Sequence, residues 1–245
     1  MTAEFILLLL GGAIAGGFVN GLAGFGTSLF ALGWWLQILP PKQAVVLVLV
    51  LSVFSGLQGA WVVRKSIEPR RLAIFLVPAL IGIPVGLQVL QWIDVDLLKL
   101  IVAVFLLTYA VFFIVRRNLP AMTAETPVVD AGIGFAGGVL GATAGLSGAL
   151  PTMWLAMRDW QRQKVRAVLQ PFNIAVLGIA AVLLVIDGVL DRQTLIALAV
   201  AFPATMLAAQ AGLWAFGRLT DVQFRWLLVS LMLVSGLGLL ARTIF

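Results

Sequence analysis

The sequence predicts an all-α integral membrane protein made of two inverted repeats, each with one broken or re-entrant helical hairpin plus three transmembrane helices. Apolar stretches of about 20 residues, each enough to cross a hydrocarbon core of roughly 30 Å, recur from end to end. A glycine-rich break occurs twice, as GGFVNGLAGFGTS at 16–28 and GGVLGATAGLSG at 137–148. The basic residues segregate to one face only when the two broken stretches turn back.

The first apolar region runs from Phe5 to Leu39 and ends at Pro40-Pro41. As a straight helix it would be roughly 52 Å long, too long for an ordinary bilayer. Its break is expected across Asn20 to Ser28. Plain crossings are expected next at Ala44 to Val63, Leu72 to Trp92 and Leu97 to Val115. A polar stretch at 119–127 reads as a linker between a first repeat, 1–118, and a second, 128–245. The second repeat opens with a long region from Val128 to Met157 that holds a glycine cluster and Pro151. Crossings at Val168 to Ile186, Thr194 to Phe216 and Phe224 to Leu240 follow.

A shift of 121 residues superposes Gly11, Ala15, Gly16, Gly17, Ala23, Gly24 and Leu29 on Gly132, Ala136, Gly137, Gly138, Ala144, Gly145 and Leu150. With the same order of one long broken segment and three plain helices in each half, this makes duplication the better account.

Hydrophobic residues make up 62% of the chain and charged ones 11%, which places it outside the soluble range. With no Cys and no His, disulfides, haem ligation and the usual zinc site lose their ligands. No cofactor or metal is expected. Met1 to Glu4 lacks a basic n-region, so the first segment is expected to remain in the mature protein. The net charge of +6 reads as a topology signal rather than a nucleic-acid surface.

If all eight segments cross, Lys and Arg divide evenly. If the broken segments return to the side they entered from, Arg64, Lys65, Arg70, Arg71, Arg116, Arg117, Arg158, Arg162, Lys164, Arg166, Arg218 and Arg225 share one face. The other keeps Lys42, Lys99, Arg192 and Arg242. The positive-inside rule makes the first face cytoplasmic and leaves both termini outside. Three crossings plus a hairpin per half then insert the second half upside down.

A helix is not interrupted within a membrane without a sheltered polar space, so each break marks a cavity. Half-helix N-termini there would present backbone N–H groups and positive dipole ends to an anion. Asn20, Gly24, Gly26, Thr27 and Ser28 from the first break, with Gly145, Ser147 and Gly148 from the second, are candidate substrate-binding residues. Ser52 and Asn173, which the 121-residue shift makes equivalent, are candidates from the plain helices. Close packing also fits the glycines, because Gly12/Gly16, Gly17/Gly21, Gly134/Gly138, Gly137/Gly141 and Gly141/Gly145 have small-xxx-small spacing. Ser55, Gln58, Gln88, Gln170 and Gln210 are the other polar residues within predicted helices, and Gln170-Pro171 fits a local bend. No Asp or Glu lies deep in an apolar segment, which weakens a cation pump and suits an anion. Lys164 and Arg166 read as topology determinants, with attraction of anions to the cytoplasmic mouth as the alternative. Trp34 and Trp35 read as packing rather than pocket closure.

GGFVNGLAGFGTSLFALG near the start, GFAGGVLGATAGLSGALPTMWLA at the head of the second half and the four-segment spacing between them resemble the TauE/SafE family of sulfite-exporter-like permeases. The resemblance covers nearly the whole chain. It implies a bacterial-type, inner-membrane, multi-pass permease for small sulfur oxyanions, sulfonates or related organic anions. The family motif matches Gly17, Gly21, Gly24 and Gly26 with Pro40, then Gly138, Gly141, Gly145 and Gly148 with Pro151. The chain departs from the family's glycine run at Phe25-Gly26-Thr27-Ser28 and at Leu146-Ser147-Gly148.

The expected function is therefore secondary transport of a small anion, such as sulfite or an organosulfonate, by alternating access. A passive anion channel or a non-transporting scaffold is the alternative. The lack of acid–base machinery speaks against an enzyme. The expected partners are the substrate anion, membrane lipid and a coupling proton or ion, with no nucleic acid. Homodimerisation through an outer helix stays open.

Overall fold

The computed structural model describes residues 2–115, 122, 126–158, 160 and 162–244. Most of the linker expected at 119–127, with Arg116, Arg117 and Asp159, falls outside these residues, as do the side chains of Arg162, Arg225 and Arg242. The fold is all-α and multi-spanning. Among the described residues, seven helices are long and apolar enough to cross a membrane.

The helices are α1 (Ala3–Ala23), α2 (Thr27–Trp35), α3 (Pro41–Val63), α4 (Pro69–Trp92) and α5 (Val95–Val115). The second half holds α6 (Pro127–Ala144), α7 (Ala149–Ala156), α8 (Arg162–Ile186), α9 (Arg192–Phe216) and α10 (Asp221–Ile244). Pro41, Pro69 and Pro127 open α3, α4 and α6, where a missing N–H leaves no helical bond unmade.

Both long apolar regions are broken, but more narrowly than expected. The first break is Gly24 to Gly26 rather than Asn20 to Ser28, and Asn20 lies in the last turn of α1. Gly24 and Gly26 have φ of 82° and 104°, in the left-handed region that glycine enters without a Cβ clash. The second break is Gly145 to Gly148, with Gly145 at φ 69°. Pro151 lies inside the first turn of α7, not in the break, because that position needs no N–H.

Across the first break, α2 lies antiparallel against α1. A Cβ at Gly16 would meet Thr27 and Ala31, whereas one at Gly11 or Gly12 would meet Trp34 or Trp35. The Trp35 indole N–H donates to the Leu9 carbonyl at 3.1 Å, and its ring is fully buried between the two arms. In the second pair, Gly137 and Gly141 face Ser147, and the Trp154 indole reaches Asp130 at 2.6 Å.

A second glycine face on each first arm meets the other half of the chain. Gly17 lies against Thr205 and Gly21 against Ala209, so α1 and α9 run parallel. Gly134 lies against Phe75 and Gly138 against Ala79, so α4 and α6 do the same. At Gly21, Gly82, Gly86, Gly134, Gly138 and Gly212 a Cβ would overlap a backbone carbonyl of the facing helix. Without a hydrophobic drive between helices in lipid, such close contact is what holds them together. The glycines of α1 therefore pack on two faces of one helix, one against α2 and one against α9.

Near one end of the bundle, Gln43 at the start of α3 donates to Asp191 at 2.9 Å. Asp191 caps α9; the N–H and hydroxyl of Thr194, then Gln43, hold its carboxyl below the usual carboxylate range. The opposite end is basic: Lys164 lies 3.9 Å from Glu68, Arg71 pairs with Glu68 at 2.7 Å, and Arg71 stacks on Trp160. Because α1 runs with α9 and α6 with α4, the two broken stretches start from opposite ends.

Two basic residues counted with the cytoplasmic loops prove buried. Arg158 forms an ion pair with Asp130 at 2.6 Å and also donates to Thr126. Arg166 was expected in a loop before the crossing at Val168 to Ile186, but α8 begins at Arg162 and carries Arg166 into the bundle, 3% exposed. The charged RQKVR run continues the helix because its residues are good helix formers apart from Val165.

Candidate functional site between the glycine turns

The first glycine turn meets the second inside the bundle. The Ser28 hydroxyl donates to the Ala144 carbonyl. A Cβ at Gly145 would contact Val48 and Ser28, whereas one at Gly148 would contact Asn173 and Phe25.

Helices α3 and α8 brace the two turns from the side. The Asn20 amide donates to Ser55 Oγ at 2.5 Å and to the Ser52 carbonyl at 3.3 Å, fixing the last turn of α1 on α3. Ser147 Oγ donates to Asn173 Oδ1 at 2.8 Å, fixing the second turn on α8. The Asn173 amide group then donates to the Gly24 carbonyl at 3.3 Å, so one side chain bridges both turns. Of Ser52 and Asn173, equivalent under the 121-residue shift, the first serves the end of α1 through its carbonyl and the second serves both turns through its side chain.

These contacts enclose a cavity lined by Asn20, Gly24, Gly26, Ser52, Gly145, Ser147, Gly148 and Asn173, all eight expected from the sequence. Thr27 and Ser28, also expected, do not line it. The Thr27 methyl packs toward Gly16, and its buried hydroxyl has no partner; the Ser28 hydroxyl is taken by Ala144. The space open to the centre of a water molecule is ≈ 10 Å³, about the room one water needs. An anion with several oxygens needs more room than that.

Neither half-helix N-terminus has a side-chain cap: α2 follows Gly26 and α7 follows Gly148. Thr27, Ser28 and Leu29 each carry an N–H in the first turn of α2. In α7 the Ala149 N–H goes to the Leu146 carbonyl at 3.1 Å and Pro151 has none, so α7 offers fewer donors. Of these first-turn residues, Leu29 of α2 and Ala149 of α7 line the cavity.

Gln170 and Gly56 also line the cavity, and the Gln170 amide donates to the Gly56 carbonyl at 3.0 Å. Gln170 was read as one of the polar residues within predicted helices and as part of a local bend, and Arg166 as a topology determinant or a charge attracting anions to the cytoplasmic mouth. Their spacing carried a signal: Arg166, Gln170, Asn173 and Leu177 recur at helical intervals and lead one polar face from the basic end into the apolar run. Phe25, Leu29, Leu146, Ile174 and Leu177 supply the apolar wall. Gln88 and Gln210 are exposed, Trp34 and Trp35 do not reach the cavity, and Gln58 donates to Met206 Sδ.

The family model described as "Sulfite exporter TauE/SafE" matches residues 8–239 of the chain. No curated protein and no solved structure gives a match.

Proposed function

The chain belongs to the TauE/SafE family of small-anion membrane permeases, and from that premise we propose a secondary transporter that moves its anion by alternating access. The substrate class is a small sulfur oxyanion such as sulfite, or an organosulfonate or related organic anion. The observation that carries this reading is the convergence of two glycine turns, with uncapped helix N-termini, on one buried cavity bordered by neutral hydrogen-bonding side chains. Neutral groups of this kind can donate hydrogen bonds to an oxyanion and release it again.

In this reading the chain divides at the linker into repeats 1–118 and 128–245, each a re-entrant hairpin plus three crossings, inserted upside down relative to each other. Support comes from the partnering of helices: α1 packs most extensively on α9 and α4 on α6, while α3 faces α8 and α5 faces α10. Each pairing joins one half to the other. Exchanging the halves turns α1 with α9 into α6 with α4 and maps the other two pairings onto themselves, as a two-fold relation requires.

The two hairpins enter from opposite ends and meet at the cavity, so moving one turn while the other stays braced opens the site to one side at a time. The small volume in this arrangement corresponds to an occluded step. The chain carries no nucleotide-binding loop, so an ion gradient or the membrane potential drives the cycle, and a proton can travel with the anion itself.

The test is a panel of small anions, including sulfite, thiosulfate, acetate and taurine-type sulfonates, screened by thermal stabilisation of the purified protein. A ligand that binds only the folded state raises the transition in proportion to ln(1 + [L]/Kd). Concentration-dependent stabilisation by sulfur oxyanions or sulfonates above chloride is expected. Equal response to all anions would contradict a specific site.

A further inference from the structure

We propose that Arg166 is the charge-bearing residue of the anion site and the latch on its basic side. The proposal rests on the functional reading above and adds a named counter-charge that the cavity's own lining lacks.

Arg166 lies one turn of α8 before Gln170, between the cavity and the basic end of the bundle. Its Nη2 donates to the Gly21 carbonyl at 2.9 Å and its Nη1 to the Leu22 carbonyl at 3.4 Å. These belong to the last turn of α1, where carbonyls have no intrahelical partner and the dipole is negative. The guanidinium carbon stands 4.6 Å from the Phe216 ring. Among the described residues, this cation is thus met by carbonyl oxygens and an aromatic face, not by a carboxylate.

Partial charges of that kind compensate a buried cation incompletely. Among the described residues, the Arg166 Nε–H has no partner, and neither has Oε1 of the adjacent Gln170. Both stand beside Gly24 of the cavity lining: a Cβ there would lie 2.6 Å from Gln170 Oε1 and 3.5 Å from Arg166 Nε. An unused donor on a 3%-exposed cation therefore borders the site.

A guanidinium binds an oxyanion best as a fork, with two parallel N–H donors. Arg166 offers Nε with Nη2 in that geometry only when Nη2 leaves the Gly21 carbonyl. Leaving it also releases the end of α1, which carries the first glycine turn. One set of acceptors is exchanged for another: the carbonyls of α1 in the closed arrangement, the oxygens of the anion in the loaded one. Anion binding and opening toward the basic end are coupled through this single side chain.

The chain contains no Cys, so a Ser52→Cys reporter can be labelled alone with a membrane-impermeant maleimide. Three variants are compared for sulfite-dependent thermal stabilisation and, without sulfite, for labelling from the basic side. Arg166→Gln is expected to weaken sulfite binding by about tenfold or more and to raise labelling, whereas Arg166→Lys recovers part of the affinity. Gly59→Ala keeps the charge but pushes on Arg166 Nη2 and Gln170 Oε1, each 2.9 Å from its added Cβ, so labelling should rise. Wild-type affinity in a monodisperse Arg166→Gln protein, or Arg166→Lys no better than Arg166→Gln, overturns the charge assignment. Unchanged labelling in Gly59→Ala overturns the latch, whether or not the Arg166 variants fold. If the wild type itself is stabilised by no anion, the functional reading fails first. Binding that survives Arg166→Gln defeats this inference alone.

Discussion

Ser28, in the first turn of α2, donates its hydroxyl to the carbonyl of Ala144, the last residue of α6, and so ties the two glycine turns together directly. The contact spans both halves of the chain at the point where the broken stretches meet. Ser28→Ala leaves the Ala144 carbonyl buried without this donor, at a cost of about 1–3 kcal/mol. Lower thermal stability and faster hydrogen exchange at 24–28 and 144–148 are expected. Exchange protection equal to wild type would show that the tie does not hold the turns.

Asn20→Ala and Ser147→Ala remove the side chains that brace the two turns on α3 and α8 and border the cavity. Each should weaken anion affinity by about tenfold, the loss expected for one or two hydrogen bonds, while leaving membrane insertion intact. Titration of sulfite-dependent stabilisation on the inserted proteins checks this. Undiminished affinity in both would remove these residues from the site.

Two glycines of α6 separate packing from propensity. At Gly132 an added Cβ meets nothing within 4 Å, so Gly132→Ala should be neutral or stabilise by up to about 1 kcal/mol. At Gly134, two residues on, the Cβ would overlap the Phe75 carbonyl of α4, so Gly134→Ala should destabilise clearly. Thermal unfolding of the pair gives the comparison, and equal transitions would mean that the α4–α6 contact is looser than described.

Much of the site was legible before any coordinates. Glycine clusters inside over-long apolar stretches pointed to the turns, because a helix within a membrane is interrupted only where protein or water satisfies its backbone. Ser52 and Asn173 were recoverable from the 121-residue shift. Arg166 and Gln170 were signalled only by their helical spacing with Asn173, since a basic residue ahead of an apolar run looks the same whether it ends a loop or lies under a neighbouring helix. Only packing of the α1 end against α8 decides between them. The placement of Asn20 in a helix rather than a turn was hidden for a similar reason: Gly21 on its C-terminal side reads as turn chemistry but serves close contact with Ala209.

Charge segregation makes a separate prediction about sidedness. The basic end, with Arg64, Lys65, Arg71 and Lys164, should face the cytoplasm, and both termini should lie outside. Reporter tags at residue 1 and after residue 245 should be reached by impermeant reagents from the outside of intact cells. A cytoplasmic tag at either end would rule out the proposed inverted arrangement.

Exchange of isotopically labelled sulfite across proteoliposomes containing the purified protein tests the central claim most directly. An alternating-access carrier with its site between the two glycine turns should give saturable uptake that unlabelled sulfite on the opposite side accelerates. Flux that rises linearly with concentration, ignores sulfite on the far side and carries current well above carrier rates would contradict it.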